Sequence, residues 1–137
     1  FLKNKIKKPF FLTNCDTIVN TNYYNILKHH NKHKNDITAV VARKTFKIPY
    51  GVNNSKKGSE FTLIEKPKIK LKVNVGLYLV SKNVLSQIKS KKYLDFTSLI
   101  NQSIKMKKKV GYYEVSDKDW IDVGEMDKYK YFLDKKI

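Results

Sequence analysis

The stretch Pro9-Phe10-Phe11-Leu12-Thr13, running into Asn14-Cys15-Asp16-Thr17, decides how the rest of the chain is read. An uncharged apolar run ending in polar, turn-forming residues is the pattern of a buried central strand with a functional carboxyl end. Asp16 then stands at the strand tip. Downstream, Asn20-Thr21-Asn22 offers helix caps ahead of Tyr23, Tyr24, Ile26, Leu27 and His30, whose spacing predicts a helix packed on one side and fading near Lys34-Asn35. Asp36-Ile37-Thr38-Ala39-Val40-Val41-Ala42 is apolar on both faces and rich in β-branched residues, which predicts a second buried strand. Strand, helix and strand make a βαβ unit, for which a right-handed crossover and parallel strands are expected.

Working outward, Pro49-Tyr50-Gly51-Val52 reads as a strand, residues 53–59 as a polar hairpin loop and residues 60–64 as the returning strand. Lys68-Ile69-Lys70-Leu71-Lys72-Val73-Asn74-Val75 alternates strictly, so Ile69, Leu71, Val73 and Val75 share one face while Asn74 and the lysines share the other, away from the core. Gly76-Leu77-Tyr78-Leu79-Val80 continues as a buried strand, and Ser81 is expected to cap a helix through Ile88. A helix over 96–105, a strand over 110–115 closed by Trp120-Ile121-Asp122-Val123-Gly124, and a final helix over 125–133 complete the pattern. The expected class is α/β: a mixed, mostly parallel Rossmann-like sheet flanked by helices.

Composition bounds the partners. A chain of 137 residues with 41% hydrophobic content, including nine Tyr and seven Phe, has room for one domain with a real core. The formal charge of +17 invites a nucleic-acid reading, because clustered Lys and Arg neutralise phosphates. Arg43 is the only arginine, however, and base-edge recognition favours the planar guanidinium, so the lysines read as solvated faces. One cysteine, Cys15, excludes an internal disulfide framework and suits a reducing cytoplasm. No apolar run approaches the ~18 residues of a membrane helix, and no signal-peptide pattern opens the chain. Phe1 stands where Met is usual and the lysines of residues 3–8 lead straight into a strand, so a start inside a larger protein is expected.

Taken singly, the candidate functional residues have bland readings. Asp16 and Asp122 at strand ends suit turns or caps. Glu65 and Lys66 suit a surface ion pair, worth about 0–1 kcal/mol. His29, His30 and His33 have helical spacing that could chelate zinc, but no Cys or carboxylate lies at a matching local spacing, and a solvated helix end accounts for them. Tyr112, Tyr113, Tyr129 and Tyr131 could stack on bases, yet strand and helix packing explains them more simply. Joint occurrence alters the balance, because magnesium takes a few carboxylates plus substrate phosphates and water, and open α/β sheets place ligands beyond the carboxyl ends of their strands.

In order, Asn14-Cys15-Asp16, Pro49-Tyr50-Gly51-Val52, Glu65-Lys66-Pro67, Asn74-Val75-Gly76-Leu77-Tyr78 and Trp120-Ile121-Asp122-Val123-Gly124 resemble the sugar-1-phosphate nucleotidyltransferase family. The resemblance spans residues 9–129 and implies a nucleotide-diphospho-sugar transferase fold. It implies that Asp16 and Asp122 bind a catalytic Mg2+, that Tyr50 and the Gly51 backbone contact the sugar, that Glu65 holds sugar hydroxyls, that Lys66 holds the sugar phosphate, and that Asn74 lines the same pocket. Asp16, Lys66 and Asp122 are the catalytic set. The implied reaction is transfer of a nucleotidyl group from a nucleoside triphosphate to a sugar 1-phosphate, releasing pyrophosphate, in nucleotide-sugar and polysaccharide biosynthesis. Ile48-Pro49-Tyr50-Gly51-Val52 and Asn14-Cys15-Asp16-Thr17 look most like a guanylyltransferase branch acting on mannose-, heptose- or hexosamine-1-phosphate.

Two departures stand out: Cys15 occupies a position that is usually glycine in the family, and the glycine-rich loop that grips the triphosphate is expected upstream of Phe1. On that reading the chain is the sugar-phosphate- and metal-binding part of a catalytic domain, incomplete at its N-terminus and inactive by itself. The implied partners are a sugar 1-phosphate and, mainly through that other part, a nucleoside triphosphate; membrane and nucleic acid are not among them, and a homo-oligomer is compatible. The rivals are a noncatalytic lysine-rich nucleic-acid-binding module and a noncatalytic relative that keeps the sugar pocket as a sensor.

Overall fold

The structure, a computed structural model, describes residues 5–88 and 94–124. Its strands are β1 (Phe10–Thr13), β2 (Thr17–Val19), β3 (Ile37–Lys47), β4 (Val52–Asn53), β5 (Leu63–Ile64), β6 (Lys68–Val80), β7 (Val110–Val115) and β8 (Trp120–Asp122). Two α-helices, α1 (Tyr23–His33) and α2 (Phe96–Lys105), and 3-10 turns over Lys82–Gln87 and Asp117–Asp119 connect them.

The main sheet has the order β1-β6-β3-β7 among the described residues. β6 is antiparallel to both β1 and β3, and β3 is parallel to β7, so β1, β3 and β7 run one way and β6 alone runs the other. The strands flanking α1 are parallel as expected, with β6 inserted between them. Alternation along β6 sends Leu77 and Leu79 to one face, with Val40, Val75 and Ile26 of α1, and Tyr78 and Val80 to the other, with Ile37, Val84 and Leu99 of α2. The sheet is thus covered by a helix on each face, as expected for the α/β class.

α1 begins where Asn22 accepts a hydrogen bond from the Tyr24 amide and ends at Lys34 in the left-handed conformation. Asp95 caps α2 through the Ser98 amide. The expected helix after Ser81 is instead a six-residue 3-10 segment, and Ser81 makes no capping bond. Its hydroxyl donates to the Asn35 carbonyl and meets His30 Nε2, so it is committed elsewhere.

Three further differences matter. β3 runs five residues past Ala42, pairing Arg43 through Lys47 with residues 68–72 of β6. Neither β1 nor β7 pairs with this portion, which leaves a two-stranded ribbon projecting past the sheet; Ile69 and Leu71 are therefore 41% and 50% exposed, while Val75 on the same alternation is buried. The segment 120–122 does not close onto β7 but pairs antiparallel with β2. The hairpin at 52–64 is paired through two residues on each side, Val52 with Ile64 and Asn53 with Leu63. The helix expected over 125–133 lies outside the described residues.

Candidate functional site

The β2–β8 pair brings together two segments distant in sequence. Thr17 lies opposite Asp122, and the Val123 amide donates to the Asp16 carbonyl at 2.8 Å. The two aspartates therefore sit at the same end of the pair. A point at the Cβ position of Gly124 is 3.2 Å from Asp122 Oδ1 and 3.6 Å from Asp16 Oδ2, so both carboxylates border one small gap. Asp122 Oδ1 also accepts from the Gly124 amide at 3.1 Å, whereas the Asp16 carboxylate has no hydrogen-bond or ion-pair partner among the described residues.

That gap opens into a cleft of about 330 Å³ lined by Asn14, Asp16, Thr17, Asn74, Gly76, Tyr78, Phe96, Thr97, Trp120 and Asp122. The volume sits at the lower end of the ~300–1,000 Å³ range of small-molecule sites. The floor is tied down by a relay: Trp120 Nε1 donates to Thr17 Oγ1 at 3.0 Å, and that hydroxyl donates to the Val75 carbonyl at 2.7 Å. β8, β2 and β6 are thereby locked together beneath the carboxylates. Asn74 Nδ2 donates to the Tyr78 hydroxyl, and Asn74 Oδ1 accepts from the Gly76 amide at 3.2 Å, so its side chain is held at the cleft wall. Gly76 has a φ of +78°, and a Cβ there would stand 2.7 Å from Asn14 Nδ2. Only glycine suits that position.

Tyr50, Gly51, Glu65 and Lys66 form a second group at the base of the β4–β5 hairpin. The Lys66 amide donates to the Tyr50 carbonyl at 3.2 Å, and Glu65 Oε2 packs on Gly51, 2.9 Å from where a Cβ would stand. Lys66 Nζ lies 3.9 Å from Glu65 Oε1, a loose pair with both side chains about two-thirds exposed. These four do not line the cleft. The structure thus brings Asp16, Asn74 and Asp122 together and gathers Tyr50, Gly51, Glu65 and Lys66 separately, at the start of β6.

Two oxygen-donor carboxylates flanking one gap suit a hard divalent cation that takes its remaining ligands from water and substrate phosphate. No group of three or more His, Cys, Asp or Glu placed to hold a metal ion occurs among the described residues. His30 is not a solvated helix end but is buried, with Nδ1 2.8 Å from Thr38 Oγ1 and Nε2 2.9 Å from Ser81 Oγ. His29 stacks on His33 and meets the edge of Tyr113. Tyr112 is 51% exposed, and Lys72 Nζ lies 4.4 Å from its ring centroid. Cys15 is exposed in the turn before Asp16. Of the cleft residues, Asn14, Thr17, Gly76, Tyr78 and Trp120 stood in the quoted motifs without a site role of their own, and Phe96 and Thr97 were not singled out from the sequence at all. No helix among the described residues is long and apolar enough to cross a membrane.

Similar proteins share this arrangement of elements. The chain is 33% identical over 86 residues to the Oryza sativa subsp. japonica protein named "Probable mannose-1-phosphate guanylyltransferase 3", a match covering 60% of this chain and 24% of that protein. It is 31% identical over 87 residues to the mannose-1-phosphate guanylyltransferase catalytic subunit beta of Danio rerio, covering 61% and 24%. Among solved structures, HddC from Yersinia pseudotuberculosis superposes with a TM-score of 0.67 at 18% identity, over 99% of this chain and 59% of that one. The UTP-bound UGPase of Acinetobacter baumannii gives 0.60 at 14% identity, over 98% and 53%. The matches thus span about a quarter of the named relatives and just over half of the solved chains. The nucleotidyl transferase family profile matches residues 1–135. With a match of that extent and a shared fold, the chain belongs to the nucleotidyl transferase family.

Proposed function

We propose that this chain supplies the divalent-metal and sugar-phosphate side of a sugar-1-phosphate nucleotidyltransferase. The observation that carries the reading is the meeting of Asp16 and Asp122 at one gap, through strands that pair from opposite ends of the chain. Asp16 and Asp122 would hold Mg2+, whose charge, when bound, offsets that of the reacting phosphates. A sugar phosphate is already an anion and needs no strong base. Its oxygen forms a bond to the α-phosphorus of the nucleoside triphosphate as the bond to the β-phosphate oxygen breaks, and pyrophosphate leaves with that electron pair. The chain's own task is to position and neutralise: the Lys66 ammonium holds the sugar phosphate, Glu65 accepts from sugar hydroxyls, and Tyr50, the Gly51 backbone and Asn74 border the sugar. The nucleotide is gripped mainly by a glycine-rich part outside these residues.

The mannose-1-phosphate guanylyltransferases among the relatives support GTP and mannose 1-phosphate as the first pair to assay, with heptose and hexosamine 1-phosphates next. In the protein that carries this chain, Asp16→Asn or Asp122→Asn is expected to lower Mg2+-dependent pyrophosphate release by about 10²–10³-fold with an unchanged melting temperature. Near-normal turnover in both variants refutes the metal role.

A further inference from the structure

The cations of this chain are not evenly spread. On the projecting ribbon, Arg43 lies opposite Lys72, Thr45 opposite Lys70 and Lys47 opposite Lys68. Residues directly opposite one another in an antiparallel pair project from the same face. One face therefore carries Arg43, Lys47, Lys68, Lys70 and Lys72, all exposed, and Lys44, Phe46, Ile69 and Leu71 occupy the other. Glu114 on β7 engages Arg43 at 2.6 Å and Lys72 at 3.1 Å. Among the described residues no carboxylate pairs with Lys47, Lys68 or Lys70. Like charges set directly opposite weaken a strand pair. Lys47 facing Lys68 is thus an arrangement that an external polyanion would stabilise.

We propose that this face of the ribbon binds the phosphate backbone of nucleic acid, independently of any transferase activity. Alternate residues on a strand repeat every ~6.6–6.8 Å, which sets the lysines in a row of point charges. A two-stranded ribbon also fits the ~12 Å major groove of a duplex. Lysine positions a protein on phosphates without reading bases, and the one arginine is committed to Glu114, so the binding is indifferent to sequence. A bilayer fits less well, because Phe46, Ile69 and Leu71 point away from any surface that the lysines touch.

The test measures anisotropy of a labelled duplex of roughly 20 base pairs across a salt series, using the whole chain. The ribbon variant Lys47→Gln/Lys68→Gln/Lys70→Gln is compared with Lys28→Gln/Lys32→Gln/Lys105→Gln, which removes the same charge from exposed helix positions. The ribbon variant is expected to bind at least about tenfold more weakly and to lower the slope of log K against log salt by about 2–3. The helix variant is expected to stay within about twofold of the parent. Equal losses in the two variants would assign binding to diffuse charge and overturn the proposal. Tighter capture by phosphatidylserine vesicles or polyglutamate than by the duplex would also overturn it. The ribbon variant should melt at or above the parent temperature in low salt, since cross-strand repulsion is relieved; a clear drop contradicts the repulsion on which the site is argued.

Discussion

A methyl group at Gly124 would stand 3.2 Å from Asp122 Oδ1 and 3.6 Å from Asp16 Oδ2, inside the space that a cation shared by the two carboxylates would use. Gly124→Ala is therefore expected to weaken Mn2+ binding, read by electron paramagnetic resonance, about tenfold, while the chain keeps its melting temperature. Unchanged affinity would mean that the cation sits elsewhere. The strand-end positions of the two aspartates were legible in the sequence, whereas each alone read as a turn or cap residue and a metal role was implied only by the resemblance. The roles of Thr17 and Trp120 were not legible: a threonine in a strand and a lone tryptophan have ordinary packing roles, and only the β2–β8 register shows that their hydrogen bond fastens the cleft floor. Glu65 and Lys66 were singled out only through the resemblance. In the structure they make a loose surface pair, which local chemistry alone would have suggested.

At the scale of elements, His30 fastens α1 to the sheet. It lies in the last turn of the helix and reaches Thr38 on β3 and Ser81 at the end of β6. Burial lowers its pKa below the ordinary 6.5, with a smaller opposing contribution from Asp36 and a further lowering from His29. Between the folded value and 6.5 the unfolded chain binds more protons than the folded one, so this contribution is complete above about 6.5 and is lost as pH falls through that window. The urea midpoint is expected to drop between about pH 7.5 and about pH 5.5. His30→Gln should remove most of that dependence, leaving the part due to His29, whose pKa burial also lowers, and should cost about 1–3 kcal/mol at the higher pH through unmatched hydroxyls. An identical pH profile in the variant would rule His30 out. Helix α2 and strand β7 have the bounds expected from the sequence, 96–105 and 110–115, because an amphipathic run and a short strand-forming run are local signals. The ribbon was not. Its alternation is intact, but with no third strand paired to it among the described residues, its apolar residues stay half exposed, and periodicity alone does not reveal what lies opposite.

Across the whole molecule, 29 basic residues against 12 acidic ones leave the folded chain repelling itself. Raising NaCl from about 20 mM to about 300 mM is expected to lift the melting temperature by a few degrees, since the Debye length shortens well below the span of the charged surface. A melting temperature indifferent to salt would show that the charges are already compensated. The overall class, the two helices and the βαβ unit were all readable in advance, because buried strands and one-sided helices have strong periodic signatures. The insertion of β6 between β1 and β3, and the departure of β8 to pair with β2, were not, since both depend on contacts between segments far apart in the chain.

The β2–β8 pairing also has a consequence in time. Only three residues on each side join the two aspartates, and the intervening chain must be looped shut before they can meet. During synthesis β1, α1 and β3 leave the ribosome well before Asp122 exists. On the proposed reading, a polypeptide still being made gains its competence for the cation only when the segment that carries Asp122 has joined β2.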